Sequence, residues 1–272
     1  MRIKIFNLLI LSALLLGGCG RKSEAKVPAA DDLRILSLVT AADHIICELG
    51  CKEKIAAVDR HAKVLESMRD VPVTVAGSMV SREMLRKYRI NYAVIWYYQR
   101  NLLPFFAKEN IAVMVVEKQS LASYPLLVQK LGRLCNKESA ARALTDKYEK
   151  TLQKMAVKEK SKSVYFELYT PWKTPSANGY ISNVLQRAGL HLAAAGAVNG
   201  TVSPEAVVRS KPEVIFYVEN FGSAEEIAAR KALRNTPAVK NKRIYAVKRN
   251  LLCEGAFPGE LMDFFREKTE GF

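Results

Sequence analysis

Two short apolar runs enclose a helical repeat in residues 34–58, RILSLVTAADHIICELGCKEKIAAV. The run from Arg34 to Leu38 is rich in aliphatic residues, which is typical of a short buried strand. Apolar residues from Ala42 to Leu49 are spaced as on one face of a helix, and Ile55–Val58 predicts a second strand. A strand, a helix and another strand in close succession are the beginning of an α/β lobe with parallel strands.

The alternation of strands and helices continues beyond residue 58 and is interrupted once. Residues 121–160 show no strand pattern, and 137–158 carry apolar side chains at three- and four-residue spacing, as expected of a long helix. The sequence thus predicts an α/β fold of two Rossmann-like lobes with mainly parallel sheets, joined by a long backbone helix. The expected division is an N-terminal lobe over 34–135, a linking helix over 136–160 and a C-terminal lobe over 161–272. Further strands are expected at 73–75, 92–96, 111–116, 163–168, 214–218 and 243–247, and further helices at 81–88, 102–108, 181–188, 204–210, 224–233 and 259–268.

The N-terminus carries the pattern of a lipoprotein signal peptide. A basic start precedes an apolar run over residues 5–16, and the run is followed directly by Gly-Gly-Cys19. This run is too short to span a bilayer, which takes about 20 apolar residues as a helix. We therefore expect residues 1–18 to be removed, Cys19 to carry the lipid and residues 19–33 to form a flexible tether. The sequence thus predicts an extracytoplasmic lipoprotein anchored to the membrane.

The mature chain is expected to be basic. The full sequence has 42 Lys and Arg against 27 Asp and Glu, and loss of Arg2 and Lys4 with the signal peptide leaves a formal charge of +13. An exported protein does not meet the genome, so nucleic acid is not an expected partner. An anionic membrane surface or an anionic ligand would explain the charge better. An ordinary solvated surface also explains it, because the basic residues are spread along the whole chain.

Four cysteines remain after Cys19 is assigned to the lipid, and an oxidising compartment allows three pairings among them. Cys47 and Cys51 lie four residues apart on a predicted helix, close enough for a strained bridge or a soft metal site. Buried unreactive thiols are an equal alternative. No CxxC or histidine cluster indicates structural zinc, and the other two cysteines are Cys135 and Cys253.

A segment of the first half recurs in the second. The sequence SREMLRKYRIN at 81–91 aligns without gaps with SPEAVVRSKPE at 203–213, and an apolar run follows each. Each copy places a serine at a helix N-cap and a glutamate, Glu83 or Glu205, in the first turn, where acidic side chains are favoured. Helix capping alone accounts for either copy, but recurrence at matching places predicts two related lobes.

Loops that follow the predicted strands contain aromatic and basic side chains. In open α/β lobes the ligand binds beyond the carboxyl ends of the strands, so these loops form the candidate cleft. Aromatic rings and a few cations suit a large planar chelate through stacking and charge pairing. Packing at the edge of a lobe is the alternative for any single ring. The candidate ligand-binding residues are Thr40, Tyr97, Tyr98, Gln99, Trp172, Lys173 and Arg249.

Several short segments, taken together, resemble a known family. These segments, taken in their order along the chain behind a lipoprotein signal peptide, are similar to the class III periplasmic binding proteins of ABC importers for cobalamin, haem and iron siderophores. The sequence departs from the family at Thr40, where a proline is common. The segments are RILSLVTAAD at 34–43 with ELG at 48–50, KIAAVD at 54–59, GLHLA at 189–193 and PAVKNKRIY at 237–245.

The resemblance implies a rigid helix between two α/β lobes and a chelate-binding cleft that closes only modestly. It implies an importer permease and its ATPase as partners. It also implies that Glu83 and Glu205, one in each lobe, dock against arginines of the permease. No resident cofactor is expected, because the iron or cobalt arrives within the ligand.

The chain is not expected to be an enzyme. It contains no GxSxG, P-loop or HExxH pattern, so no catalytic residues and no metal site are predicted. A chelatase-like enzyme on a similar fold is an alternative, with His44 or His61 as base or metal ligand, and turnover of the chelate would distinguish it. A purely adhesive surface lipoprotein is a third alternative, and it would bind no small ligand saturably.

Overall fold

The computed structural model describes residues 25–73, 79–155, 162–193 and 200–271. Within these ranges the helices and strands follow one another largely as the sequence predicts. The strands are β1 Ile35–Ser37, β2 Ile55–Val58, β3 Tyr92–Trp96, β4 Ala112–Val116, β5 Lys162–Glu167, β6 Leu190–Leu192, β7 Val214–Val218 and β8 Ile244–Val247. The α-helices are α1 Thr40–Glu48, α2 Arg82–Lys87, α3 Leu103–Lys108, α4 Tyr124–Leu134, α5 Glu138–Lys154, α6 Tyr180–Arg187, α7 Pro204–Arg209, α8 Ala224–Ala229, α9 Pro237–Lys240 and α10 Pro258–Thr269.

The first lobe is built on a parallel sheet with the strand order β2-β1-β3-β4. All three residues of β1 are buried, and they alternate between the two faces of the sheet. Ile35 belongs to the core that contains α1 and α4, whereas Leu36 packs in the opposite core with Phe106 of α3. A strand covered on both faces has to be apolar throughout, which explains the continuous apolar run in the sequence.

The second lobe repeats this arrangement with the strand order β6-β5-β7-β8, again all parallel. The matching order in both sheets confirms the predicted fold class. The three-residue strand β6 was not predicted, because a Leu-His-Leu alternation is too short to be distinguished from a loop. In the expected strand at 73–75, Val73 forms an isolated parallel bridge with Val58, and residues 74 and 75 lie outside the described residues.

Helices α4 and α5 form a hairpin that connects the lobes. Helix α4 packs on α1 of the first lobe, and α5 contacts α10, which also packs on α6 of the second lobe. A Cβ on Gly132 would lie 2.4 Å from the Cβ of Ala141, so glycine permits this close approach. The linking helix expected over 136–160 is found as α5, with 17 residues, and 156–160 lie outside the described residues. Among the described helices none is long and apolar enough to cross a membrane.

The cysteines of the described ranges are free thiols. Cys51, Cys135 and Cys253 are buried, and Cys47 is partly exposed. Burial raises the pKa of Cys135 to about 12, with the neighbouring Cys51 adding to the effect, so this thiol stays protonated at neutral pH. No bridge joins Cys47 to Cys51, and no group of three or more His, Cys, Asp or Glu side chains in the described ranges is placed to hold a metal ion. The predicted signal peptide, residues 1–18, and the predicted lipid-bearing Cys19 lie outside the described residues.

Candidate ligand-binding cleft

A cleft of about 480 Å³ lies between the lobes, at the carboxyl ends of the strands. Parallel strands end at one edge of their sheet, so the loops after successive strands converge there. The first lobe contributes residues that follow β1, β2, β3 and β4, and the second contributes residues that follow β5 and β8 together with the start of α6. The lining includes Thr40, Asp59, His61, Trp96, Tyr97, Tyr98, Gln99, Lys118, Leu168, Tyr169, Ile181, Arg249, Cys253 and Glu254.

The wall of the first lobe is aromatic. Tyr98 is 65% exposed, and its ring stacks on Trp96 with centroids 6.2 Å apart and 14° between the planes. Tyr97 meets Tyr98 edge to face at 5.4 Å. The Oε1 atom of buried Gln99 accepts a hydrogen bond of 3.0 Å from the Trp96 amide, which holds the turn that presents both tyrosines. Three of the residues expected to bind the ligand therefore lie together on this wall.

The wall of the second lobe combines the ring of Tyr169 with a cation, and Phe221 packs on that ring without lining the cleft. Tyr169 and Phe221 are both partly exposed, and their ring centroids lie 4.8 Å apart in an edge-to-face contact. The guanidinium carbon of Arg249 lies 5.9 Å from the Tyr169 centroid and 5.4 Å from that of Phe221. A guanidinium over ring faces is held by cation–π attraction, so Arg249 has a defined place beside the cleft. Tyr169 and Phe221 lie in loops predicted to face the ligand, but they were not among the seven candidates.

Arg249 also reaches across the cleft. Its Nη2 donates a hydrogen bond to the Nδ1 atom of His61 in the first lobe. Burial lowers the pKa of His61, and the charge of Arg249 adds to this while Asp59 opposes it, so the imidazole is neutral and accepts the bond. The other candidate histidine, His44, is not in the cleft, because its ring packs on Phe257 at 4.8 Å.

A buried carboxyl group lies beneath the first-lobe wall. Asp43 on α1 is fully buried, and within the described residues neither side-chain oxygen has a hydrogen-bond partner. Burial raises the pKa of Asp43 to about 8, with a smaller contribution from the charge of Asp59. A bond from the Ser37 hydroxyl would oppose the shift, but that hydroxyl donates to the Val39 carbonyl at 3.3 Å. The carboxyl is therefore mainly protonated at pH 7. Sequence reasoning missed this group, because an aspartate in the first turns of a helix is usually exposed.

Trp172 and Lys173 do not line the cleft, contrary to the expectation from the sequence. Trp172 adopts a left-handed backbone conformation with φ of 63°, and its amide donates to Glu167 at 3.2 Å. Its ring consequently stacks on Tyr165 at 6.1 Å, with the guanidinium of Arg230 5.5 Å from the ring centroid. The tryptophan thus covers the outer core of the second lobe. Tyr169, which lies in the same loop, lines the cleft instead.

Glu83 and Glu205 occupy equivalent positions in the two lobes. Both are exposed in the first turn of a short helix, α2 or α7, that leads into the third strand of its sheet. The predicted caps are confirmed, since Ser81 Oγ accepts from the Met84 amide at 3.2 Å and Ser203 Oγ accepts from the Ala206 amide at 3.1 Å. A helix that precedes a parallel strand begins at the carboxyl edge of the sheet, so both glutamates lie toward the same edge as the cleft.

The two-lobed architecture and its cleft agree with a known family. Residues 96–251, more than half of the chain, match the periplasmic binding protein family. The chain belongs to this family. Membership implies a location outside the cytoplasmic membrane, and the resemblance inferred from the sequence is confirmed at this level. No protein with a curated description matches the chain significantly.

Solved structures with this fold include two periplasmic binding proteins and a protein solved with a bound metal ion. The periplasmic haem-binding protein HutB of Vibrio cholerae is 18% identical, with a TM-score of 0.73 over 86% of this chain and 98% of its own. The vitamin B12-binding protein BtuF of Vibrio cholerae is 16% identical, with a TM-score of 0.72 over 86% and 95%. CeuE of Helicobacter pylori, solved with Ni(II) bound, is 16% identical, with a TM-score of 0.76 over 90% and 85%. At these identities the likeness establishes the shared fold.

Proposed function

We propose that this protein captures a metal chelate in the cleft and delivers it to the permease of an ABC importer. The chelate is an iron siderophore, haem or cobalamin, so the metal enters as part of the ligand and the protein has no resident cofactor. A lipid on Cys19 holds the protein at the membrane, where a tether lets it reach the permease. The tether predicted over 19–33 ends before residue 30, because Ala30–Asp32 form a 3-10 helix and Leu33 is buried in the core of the first lobe.

The observation that carries this proposal is the pair of facing walls. Tyr97 and Tyr98 line the cleft from the first lobe and Tyr169 lines it from the second, so a flat conjugated ligand between the lobes would meet rings on both sides. Offset and edge-on ring contacts of this kind each contribute about 0.5 to 1.5 kcal/mol. The cleft of about 480 Å³ lies within the usual range for sites that enclose a small molecule.

Charge at the cleft supports an anionic chelate. Arg249 and Lys118 both line the cleft, one from each lobe, together with two carboxyl groups, Asp59 and Glu254. Asp59 is buried, and its carboxylate already accepts a bond of 2.7 Å from the His61 amide. Thr40, the first residue of α1, adds a hydroxyl group to the first-lobe wall of the cleft. Ferric siderophores and haem carry negatively charged groups that such cations pair with directly.

Delivery to the permease is supported by the equivalent exposed glutamates. A transporter with two similar halves is recognised most simply by one matching contact in each lobe, and Glu83 and Glu205 supply such a pair. Both side chains are exposed, and neither is needed for the serine caps beside them. Their removal should therefore leave the fold intact.

The experiment that tests the proposal is a titration of the mature protein with haem, cyanocobalamin and a ferric siderophore, followed by absorbance and tryptophan fluorescence. Trp96 stacks on Tyr98 in the cleft, whereas Trp172 lies in the outer core, so Trp172→Phe leaves Trp96 as the reporter. We expect one chelate per protein with quenching of this signal. Tyr98→Ala and Tyr169→Ala should each weaken binding roughly 3- to 10-fold.

Leu126→Ala serves as the control, because this exposed side chain of α4 lies outside the cleft. Wild-type affinity in both tyrosine variants would show that the ligand binds elsewhere. Saturable binding of none of the three chelates would refute the proposed function, and conversion of the chelate would favour the chelatase-like alternative.

A further inference from the structure

The cleft continues into a second compartment of about 590 Å³ on the side of the second lobe. The two spaces are continuous, because Tyr97, Lys118, Leu168, Ile181 and Glu254 line both. Beyond this shared wall the second space is polar and is formed by the second lobe alone. We call it the Thr174 compartment, and its own lining is Thr174, Pro175, Ser176, Gly179, Tyr180 and Gly200.

The N-terminus of α6 opens into the Thr174 compartment. The first N–H groups of a helix have no intrahelical partner and carry a partial positive charge. The N-cap residue is Gly179, which has no side chain to occupy them. A Cβ there would lie 2.8 Å from Ser176 Oγ and 3.6 Å from Lys118 Cε, although the φ of −88° would suit any residue. The glycine therefore lets Ser176 and Lys118 approach the start of the helix closely.

The hydroxyl of Thr174 lacks a partner. Its side chain is 1% exposed, and within the described residues its Oγ1 makes no hydrogen bond. A buried hydroxyl without a partner is destabilising and uncommon in folded proteins. Thr174 lines this compartment, so an acceptor that enters would pair with the hydroxyl.

The charges around the compartment favour an anion. Lys118 lines it, and in the described part of the chain its ammonium group forms no ion pair. The opposing group is Glu254, which is partly buried and whose carboxyl receives an N–H bond of 3.3 Å from Gln119. Burial raises the pKa of Glu254, and this outweighs the lowering by the Gln119 amide and by Lys118. The raised pKa lessens the negative charge that Glu254 sets against the ammonium group of Lys118 and the helix end.

We propose that the Thr174 compartment binds a carboxylate arm of the chelate that does not coordinate the metal. This inference rests on the proposed function and narrows its ligand to chelates with a free carboxylate. A porphyrin with propionate arms or a siderophore with a spare carboxylate fits that description. A corrin whose arms are amides does not, since an amide lacks the charge that the ammonium group and helix end favour.

The test compares ferric haem with its dimethyl ester, which has the same metal and ring but masked carboxylates. Wild-type protein should bind the ester roughly 10- to 100-fold more weakly, the range for hydrogen bonds to a charged group. Lys118→Met and Thr174→Val should weaken haem binding and leave ester binding unchanged. Because the Thr174 hydroxyl is unpaired, Thr174→Val should melt at or above the wild-type temperature, which separates lost binding from lost folding.

Matched controls exist for both changes. Thr145 on α5 is also buried with an unpaired hydroxyl, yet it lies outside the compartment, so Thr145→Val should not affect the haem-to-ester ratio. Lys130→Met removes an exposed lysine of α4 and should change neither the affinity for haem nor that for its ester. Equal affinity of the wild type for haem and ester, or an unchanged ratio in Thr174→Val, would overturn the inference while the proposed function stands.

A second experiment applies if neither haem nor its ester binds. Citrate is then the probe, and it should raise the melting temperature of wild type and of Thr145→Val but not of Lys118→Met. Absence of a citrate effect on wild type would refute the anion site. Failure of haem, cobalamin and siderophore alike would refute the proposed function separately.

Discussion

Replacement of Asp43 by asparagine should stabilise the protein at neutral pH. The carboxyl is fully buried, its oxygens are unpaired within the described residues, and burial raises its pKa from 3.8 to about 8. At pH 7 the folded protein therefore keeps a proton that the unfolded chain has released. Asparagine has nearly the same shape and is neutral at every pH, so Asp43→Asn removes this penalty.

The size of the effect follows from proton linkage. Between the two pKa values the folded state binds more protons than the unfolded state, so the free energy of unfolding falls as pH rises from about 4 to about 8 and levels off above that. At about 1.4 kcal/mol for each pH unit, the protonated carboxyl of Asp43 lowers stability at pH 7 by about 4 kcal/mol. The advantage of Asp43→Asn should vanish near pH 4 and reach its maximum near pH 8.

The assay is denaturant unfolding of wild type and Asp43→Asn at intervals from pH 5 to 8. Other titrating groups occur in both proteins, so the difference between the two curves isolates Asp43. Asp70→Asn is the control, since that side chain is 73% exposed in a surface ion pair with Lys52, where screening by solvent leaves the pair little effect on stability. Parallel pH profiles for wild type and Asp43→Asn would show that Asp43 is not held neutral in the folded protein.

Three further predictions concern the surface, the anchor and the hairpin. Glu83→Ala combined with Glu205→Ala should leave chelate affinity and melting temperature unchanged. In proteoliposomes with the cognate importer, the double variant should sharply reduce uptake and ligand-stimulated ATP hydrolysis. Undiminished transport would rule docking out. Metabolic labelling with a palmitate analogue should mark wild type and not Cys19→Ala, and equal labelling would contradict the anchor. Gly132→Ala should destabilise the protein by about 1 to 3 kcal/mol, because its methyl would meet Ala141 at 2.4 Å; an unchanged denaturation midpoint would show that the hairpin adjusts freely.

Local patterns in the sequence were sufficient for the architecture. Continuous apolar runs such as Tyr92–Trp96 predicted buried parallel strands, because a strand covered on both faces admits few polar residues. The serines at positions 81 and 203 predicted two helix starts, because an N-cap bond joins residues only three apart. The rule that ligands bind beyond strand ends was sufficient to predict that Tyr97, Tyr98 and Arg249 lie at the cleft.

Only the tertiary structure decided which side chains of those loops line the cleft. The left-handed backbone of Trp172 and the hydrogen bond from its amide to Glu167 turn the tryptophan away from the cleft. Neither feature is visible in the spacing of apolar residues. The contact between His61 and Arg249 joins residues 188 positions apart, and the pKa of Asp43 depends on surroundings that fold over it. Periodicity reports which face of an element is buried, whereas the direction of a loop side chain and the charge state of a buried group are set by long-range packing.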